Sequence, residues 1–468
     1  MSQLDQVDVD VVVVGAGPAG ENAVGRVVDA GLTAAIIERE LVGGECSYWG
    51  CVPSKTLIRP GDVLAAARRA PGASQAVTGV VDAAAAFAQR DYMTSNWDDS
   101  GAVGWLDSKG VELVRGAGRL AGERRVAVTA TDGSVRTVSA RRAVVLATGT
   151  RAAIPPIEGL ADALSWDNRA VTSAKKIPDR LLVLGAGAIG AEMAQAFRRL
   201  GTGEVTIIEG GPRMLAREEP FAGNELREAF EAEGIVVVTG ARVVEVRRPD
   251  AGGPVTATLE GGRSFEGDEI LVAVGRRPAT GDLGLETVGL EPGTYLDVDD
   301  RLRVTGVTGD WLYAVGDCNG KALLTHVGKY QARIAGDVIA GKDVRDEVSR
   351  DAVPRVTFTD PQVCAVGLTQ AQALERGFDV RTVTYGTGDV AGAYVLGNGI
   401  KGTSQLVVDE ARGVIVGATF TGPDVQELLH SATVALVGQV PLTRLWHAVP
   451  SFPTVSEVWL RLLEAYGL

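Results

Sequence analysis

The sequence predicts an α/β fold: two copies of one strand–glycine turn–helix–strand unit, each seeding a parallel sheet, followed by an α+β module. Three observations carry this. The spacing G-x-G-x-x-G occurs at Gly15, Gly17 and Gly20, and again at Gly185, Gly187 and Gly190. Each copy follows a buried-type apolar run and leads into a helix-compatible stretch. From about residue 350 the pattern changes to strand-like runs, Gln405 to Val408 and Val414 to Phe420, with two helical stretches. The chain has 468 residues, 46 % hydrophobic and 22 % charged, which is ordinary globular usage with enough length for several cores. A net charge of −13 argues against a general nucleic-acid or anionic-membrane binder. No apolar run approaches the roughly 18 residues of a membrane span, and the N-terminus is acidic. A soluble, cytoplasmic protein is therefore expected.

In the first unit Val11 to Val14 form a strand buried on both faces, and the glycines follow at once. A helix runs to Gly31, and a second strand, Ala34 to Ile37, ends at Glu38. The helix N-terminus offers free N–H groups to a pyrophosphate, and an acid at the end of the second strand accepts from ribose hydroxyls. The second unit repeats the device with Leu181 to Leu184, the second glycine set, and Val205 to Ile208 ending at Glu209. One such motif is weak in a chain with sixty glycines; two with matching context predict two dinucleotide sites. Between them a short strand ends at Ala147-Thr148-Gly149, and Pro155-Pro156 marks a linker. Two further strand-and-turn segments follow, at Gly275-Arg276-Arg277-Pro278 and Val315-Gly316-Asp317, with a helix from about His326. The expected division is 1–150 with 277–345, then 151–276, then 346–468.

Of four cysteines, Cys46 and Cys51 lie close together within Gly43-Gly44-Glu45-Cys46-Ser47-Tyr48-Trp49-Gly50-Cys51-Val52-Pro53-Ser54-Lys55. No second pair and no histidine cluster completes a zinc site, so no metal is expected. On a regular helix, residues five apart have Cα atoms roughly 8–9 Å apart, beyond the ~7 Å reach of a relaxed disulfide. Pro53 removes a backbone donor, so the segment before it need not be regular. A bond between the two sulfurs requires distorted backbone and would be easily reduced. The alternative is two free thiols packed as small hydrophobes. Lys55 lies four residues beyond Cys51 and can share its helix face, where a cation lowers a thiol pKa.

Residues 43–55 together with both glycine units resemble the FAD-dependent pyridine nucleotide–disulfide oxidoreductases over essentially the whole chain. The resemblance implies two Rossmann-like domains, with FAD on 1–150 and 277–345 and NAD(P) on 151–276, and a dimerisation domain at 346–468. It implies a homodimer in which Cys51 faces the flavin and Cys46 is the thiol that exchanges with substrate. Lys55 falls on the lysine near flavin N5 and Glu192 on its ion-pair partner. Gly44, Ala117, Thr148, Gly149, Asp317 and His326 fall among flavin contacts, and Gly275 with Arg276 on a crossing segment. Glu209 accepts a 2′-hydroxyl and repels a 2′-phosphate, whereas the nearby Arg213 could take a phosphate; NADH is expected over NADPH.

The family pattern breaks near the C-terminus. Its His-Pro-Thr-x-x-Glu signature, which supplies the partner subunit's acid–base histidine, reads Phe452-Pro453-Thr454-Val455-Ser456-Glu457 here. Glu457 keeps the orienting carboxylate, but phenylalanine cannot shuttle a proton. His447, five residues upstream, either takes that part or is an ordinary surface or interface histidine. Tyr48 and Trp49 between the thiols either meet the substrate, Tyr48 lending its hydroxyl as the acid, or pack near the flavin. The first functional expectation is electron transfer from NADH through flavin to a Cys46–Cys51 disulfide and on to a small disulfide, or the reverse dithiol oxidation. Reduction of a quinone, electrophile or metal ion without the histidine is the alternative, and a non-catalytic NADH-sensing flavoprotein is the third.

Overall fold

The computed structural model describes residues 6–468, and its contacts divide the chain into two units. The first comprises residues up to 53, 91–152 and 275–350; the second comprises 54–90, 153–274 and 351–468. Among the described residues no helix is long and apolar enough to cross a membrane.

In the first unit, strand β1 (Gln6–Val14) lies at the centre of a seven-stranded sheet. It is followed by helix α1 (Pro18–Asp29) and strand β2 (Ala34–Glu38). β1 runs parallel to β2, with Val11 opposite Ala34, and parallel to Val135–Leu146, with Val11 opposite Ala143. Strands Glu112–Arg115 and Leu312–Ala314 extend the parallel part, and Arg125–Thr129 with Ala117–Leu120 add an antiparallel meander. Val11, Val12 and Val13 are all fully buried, as their unbroken β-branched run predicts. The crossing segments Thr150–Ala152 and Arg276–Pro278 pair with each other as a two-stranded antiparallel ribbon.

Two helices bear Cys46 and Cys51: the short α2 (Gly44–Tyr48) and the 19-residue α3 (Cys51–Arg69). From Ser54 onward, α3 belongs to the second unit, where Ile58 joins the core built on the helix Ala188–Leu200. That core backs a parallel sheet ordered Ile235–Val238, Glu204–Ile208, Arg180–Leu184, Glu269–Val272. A three-stranded antiparallel sheet spans 243–267. The residues from 351 form a five-stranded antiparallel sheet backed by helices Val425–Val437 and Val458–Tyr466. The expected α+β character of the C-terminal third is thus observed.

A charge cluster secures α3 within the second unit. Arg199 meets Glu233 at 2.6 Å, Asp360 at 2.8 Å and Asp62 of α3 at 3.2 Å, while Arg69 meets Asp360 at 2.7 Å. Burial pushes the Asp62 carboxyl up to about 6 and outweighs the attraction of Arg199. An acid whose folded pKa lies above its unfolded value stabilises the fold at low pH and loses that contribution as pH rises through the folded value. Asp62→Asn is therefore expected to match wild type near pH 4 and to exceed it by about 1–2 kcal/mol at pH 8, as read by thermal unfolding at both pH values.

Candidate active site

The two glycine turns are built alike. Gly15 has φ +101°, and a Cβ there would lie 2.6 Å from the Ala147 carbonyl oxygen; one on Gly20 would lie 1.9 Å from the Gly15 oxygen. The second turn repeats this with Gly185 against Ala273 at 2.6 Å and Gly190 against Gly185 at 2.0 Å. The middle glycines differ. A Cβ on Gly17 or Gly187 would meet nothing within 4 Å, and each residue caps its helix without a side-chain hydrogen bond. This leaves an open cradle over unpaired N–H groups, which fits a pyrophosphate. Gly44 closes the first cradle, since its Cβ would stand 2.6 Å from the Gly17 Cα. The acids also correspond. Glu38 accepts from the N–H of Ala16 and of Glu40, both at 2.8 Å. Glu209 accepts from Ala186 at 2.7 Å and Gly211 at 2.6 Å. Each carboxylate is thereby fixed beside its glycine turn with lone pairs to spare for hydroxyls. A recess lined by Gly210, Val238, Gly240 and Ala241 opens next to Glu209. Arg213 is engaged elsewhere, donating to the carbonyls of Ala216 and Glu218, both at 2.9 Å.

The helix bearing Cys46 stops at Tyr48, Trp49 leaves it with φ −138°, and a new helix begins at Cys51. The segment is therefore not one regular helix, which the missing Pro53 donor allows. The break brings the thiols into hydrogen-bond contact, and that bond, with burial second, pushes the Cys46 thiol up. Both sulfurs are free thiols, Cys46 half-buried and Cys51 exposed. Cys51 Sγ lies 3.4 Å from Oγ1 of Thr325, the first residue of the helix Thr325–Ile339. Cys318 and Cys364 are buried, and burial pushes the Cys318 thiol up to about 12. Those two sulfurs are enclosed in hydrophobic cores, whereas Cys46 and Cys51 are in contact with each other.

Within the second unit Lys55 Nζ meets Glu192 Oε2 at 2.6 Å and lies 4.8 Å from the centre of the Phe358 ring. The other Glu192 oxygen accepts from the Phe358 N–H at 3.0 Å, so a carboxylate only 4 % exposed is satisfied on both sides. In the first unit Asp317 accepts from the Thr150 hydroxyl at 2.8 Å, and Arg276 donates to the same hydroxyl at 2.6 Å. Burial raises the Asp317 carboxyl, opposed by Thr150 and Arg276. Gly149 (φ +68°) and Gly275 (φ +145°) face open space. Ala117 is exposed at the start of its strand, Thr148 is half-buried, and His326 is exposed on the helix that begins with Thr325.

Near the C-terminus Glu457 is buried, with Oε1 accepting from Arg461 at 2.8 Å and Oε2 without a hydrogen-bond partner. Phe452 is 75 % exposed, and His447 is also at the surface. Tyr48 is buried and its hydroxyl donates to the Val42 carbonyl at 3.1 Å. That hydroxyl is committed to holding its own loop, which favours packing over proton transfer. Thr150, Thr325 and Trp97, whose indole N–H reaches the Tyr48 carbonyl at 3.2 Å, carry no sequence motif and emerge only from the fold.

The family model described as "Pyridine nucleotide-disulphide oxidoreductase" matches residues 9–332, and the dimerisation domain of that family matches 353–462. A dihydrolipoyl dehydrogenase of Chlorobaculum tepidum is 33 % identical, the match covering 96 % of this chain and 95 % of that one. A mercuric reductase of Lysinibacillus sphaericus is 29 % identical over 97 % of this chain and 82 % of its own. Among solved structures, LpdA from Mycobacterium tuberculosis superposes with a TM-score of 0.86 at 28 % identity, covering 99 % of this chain and all of that one. The HOCl-induced flavoprotein disulfide reductase RclA from Escherichia coli, solved as a Cu(II) complex, reaches 0.85, at 24 % identity over 98 % of this chain and 99 % of its own, a likeness of fold alone.

Proposed function

Since the chain belongs to the pyridine nucleotide-disulphide oxidoreductase family, it is an FAD-dependent oxidoreductase acting on NAD(P)H, and we propose that it passes electrons from NADH to a Cys46–Cys51 redox pair and on to a small disulfide, or runs the reverse dithiol oxidation. We further read it as a homodimer of the cytoplasm. The Gly17 cradle and Glu38 would hold FAD, which when bound would supply two-electron transfer between nicotinamide and sulfur. The chain's own residues do the rest. Cys46, the exchange thiol by its place in the family pattern, attacks one sulfur of the substrate disulfide and releases the other as a thiol. Cys51 then attacks the Cys46–substrate bond, freeing the second thiol and closing the Cys46–Cys51 disulfide, so two electrons and two protons leave the pair. Thr325 and its helix N-terminus stand beside the Cys51 sulfur, where negative charge is favoured.

The observation that carries this is the helix break that sets the two thiols in contact. Thiol counting tests it. In denaturant, the air-oxidised protein should offer two of its four cysteines to a maleimide, and the NADH-reduced protein all four. Equal counts in both states would sink the proposal.

The nicotinamide preference follows from Glu209 and from Arg213 being tied to its own turn. NADH is expected to exceed NADPH by at least about tenfold in kcat/KM, the equivalent of roughly 1.4 kcal/mol, in a steady-state comparison of the two donors. A second reading, reduction of a quinone, another electrophile or a metal ion, is favoured by one feature: Phe452 occupies the position where the family pattern has its acid–base histidine.

A further inference from the structure

Ser95, Asn96 and Trp97 have successive φ values of 50°, 53° and 57°. Three left-handed residues in a row, none of them glycine, is a conformation that L-residues hold only under constraint. The run delivers Trp97 to the end of α2, where its indole Nε1–H donates to the Tyr48 carbonyl at 3.2 Å. Two residues on, Asp99 Oδ2 accepts from the Val42 N–H at 2.8 Å and from Arg115 at 2.5 Å. The segment from Ser95 to Asp99 thus straps down both the cysteine helix and the loop leading into it.

The Tyr48 carbonyl occupies a critical place. In an uninterrupted α-helix it would accept from the N–H of Val52, four residues on, and join α2 to α3. Such a helix would hold Cys46 and Cys51 roughly 8–9 Å apart at Cα, too far to bond. The indole takes one of that carbonyl's two lone pairs and so competes with the helical ladder for it. We propose that Trp97 is a positioning residue that sets the dithiol–disulfide equilibrium of Cys46 and Cys51 by holding the helix break open. The inference rests on the redox pairing proposed above. The equilibrium is the disulfide plus two electrons and two protons against two thiols. In the disulfide the S–S bond itself enforces the break. In the dithiol no covalent tie does, and the indole keeps the reduced pair in the geometry that closure needs. Without that N–H the dithiol gains the option of relaxing into helix, so the disulfide becomes easier to reduce.

The test uses the purified flavin-loaded protein, equilibrated in mixtures of reduced and oxidised dithiothreitol or glutathione, quenched with acid and alkylated. Mass spectrometry of the peptide containing both cysteines then gives the disulfide fraction. Trp97→Phe keeps a ring without the donor, and its equilibrium constant should move about tenfold toward dithiol, or about 30 mV upward in potential. Trp97→His retains a ring N–H and should stay within about threefold of wild type. Gly50→Ala approaches the same break independently, because its Cβ would sit 3.1 Å from the Glu45 oxygen and 3.2 Å from the Cys46 Cα while favouring helix. It should shift the equilibrium in the same direction and decides the matter should Trp97→Phe not fold. An unchanged constant in folded Trp97→Phe, equal shifts in the Phe and His variants, or an unchanged constant in Gly50→Ala where it stands alone, overturns the proposal and leaves the redox pair intact. A wild-type protein whose two cysteines never form a disulfide overturns both.

Discussion

Cys46→Ser is expected to lose disulfide turnover by a factor of about 10³ or more while binding FAD as well as wild type does, because the exchange step has no nucleophile without that sulfur. Cys51→Ser should lose it to the same degree for a different reason: the mixed disulfide on Cys46 then has no second thiol to resolve it. The two variants separate in what they leave behind. Cys46→Ser cannot start exchange, whereas Cys51→Ser should accumulate substrate bound to Cys46, detectable as an added mass that dithiothreitol removes. Neither substitution disturbs a core, since Cys46 is half-buried and Cys51 exposed. Steady-state assays with a panel of small disulfides and quinones decide the outcome. Full disulfide activity in Cys46→Ser would remove that thiol from the mechanism. Quinone turnover that survives in both variants, with no disulfide turnover even in wild type, would transfer the case to the second reading.

What was legible in the sequence was local in the chain. Each glycine turn, the strand before it and the acid after it lie within about thirty residues, and that spacing alone encodes the backbone approach and the helix N-terminus. That the segment need not be regular helix was also legible, because Pro53 lacks the donor a regular helix would use there. The supporting contacts were not. Thr325 meets Cys51 across 274 positions, Thr150 meets Asp317 across 167, and Trp97 meets Tyr48 across 49. No periodicity records such pairings. The same holds for α3, which sequence placed with the first domain: Ile58 and Asp62 face partners on the helix Ala188–Leu200, and an apolar residue and an acid four apart show only that one side of a helix is occupied. The acceptors of Arg213 were not legible either, because they are backbone carbonyls, which every residue has and no motif marks.

The second large effect concerns Phe452. Glu457 is oriented for a partner it lacks: one oxygen accepts from Arg461, and the other is buried with no hydrogen bond. An unsatisfied buried acceptor costs on the order of 1–3 kcal/mol, so this carboxylate gains from any N–H donor brought to it. On the reading proposed above, that donor is the imidazole of the family pattern, at the position read here as Phe452. Phe452→His is accordingly expected to raise dithiol–disulfide turnover by about 10²-fold, the lower end of what general acid–base catalysis supplies. The pH profile should acquire a new limb near the ordinary imidazole pKa of about 6.5. The apolar side chain being replaced is 75 % exposed, so the change removes little packing. Under the second reading the same substitution does nothing for the native acceptor, because an electron acceptor that takes its protons from solvent has no step for imidazole to assist. A rise confined to disulfides, beside unchanged quinone turnover, would mean that the Phe452 site has been released from proton transfer while the sulfur chemistry remains competent. A protein in which neither activity responds would show that Glu457 does not orient an acid at all.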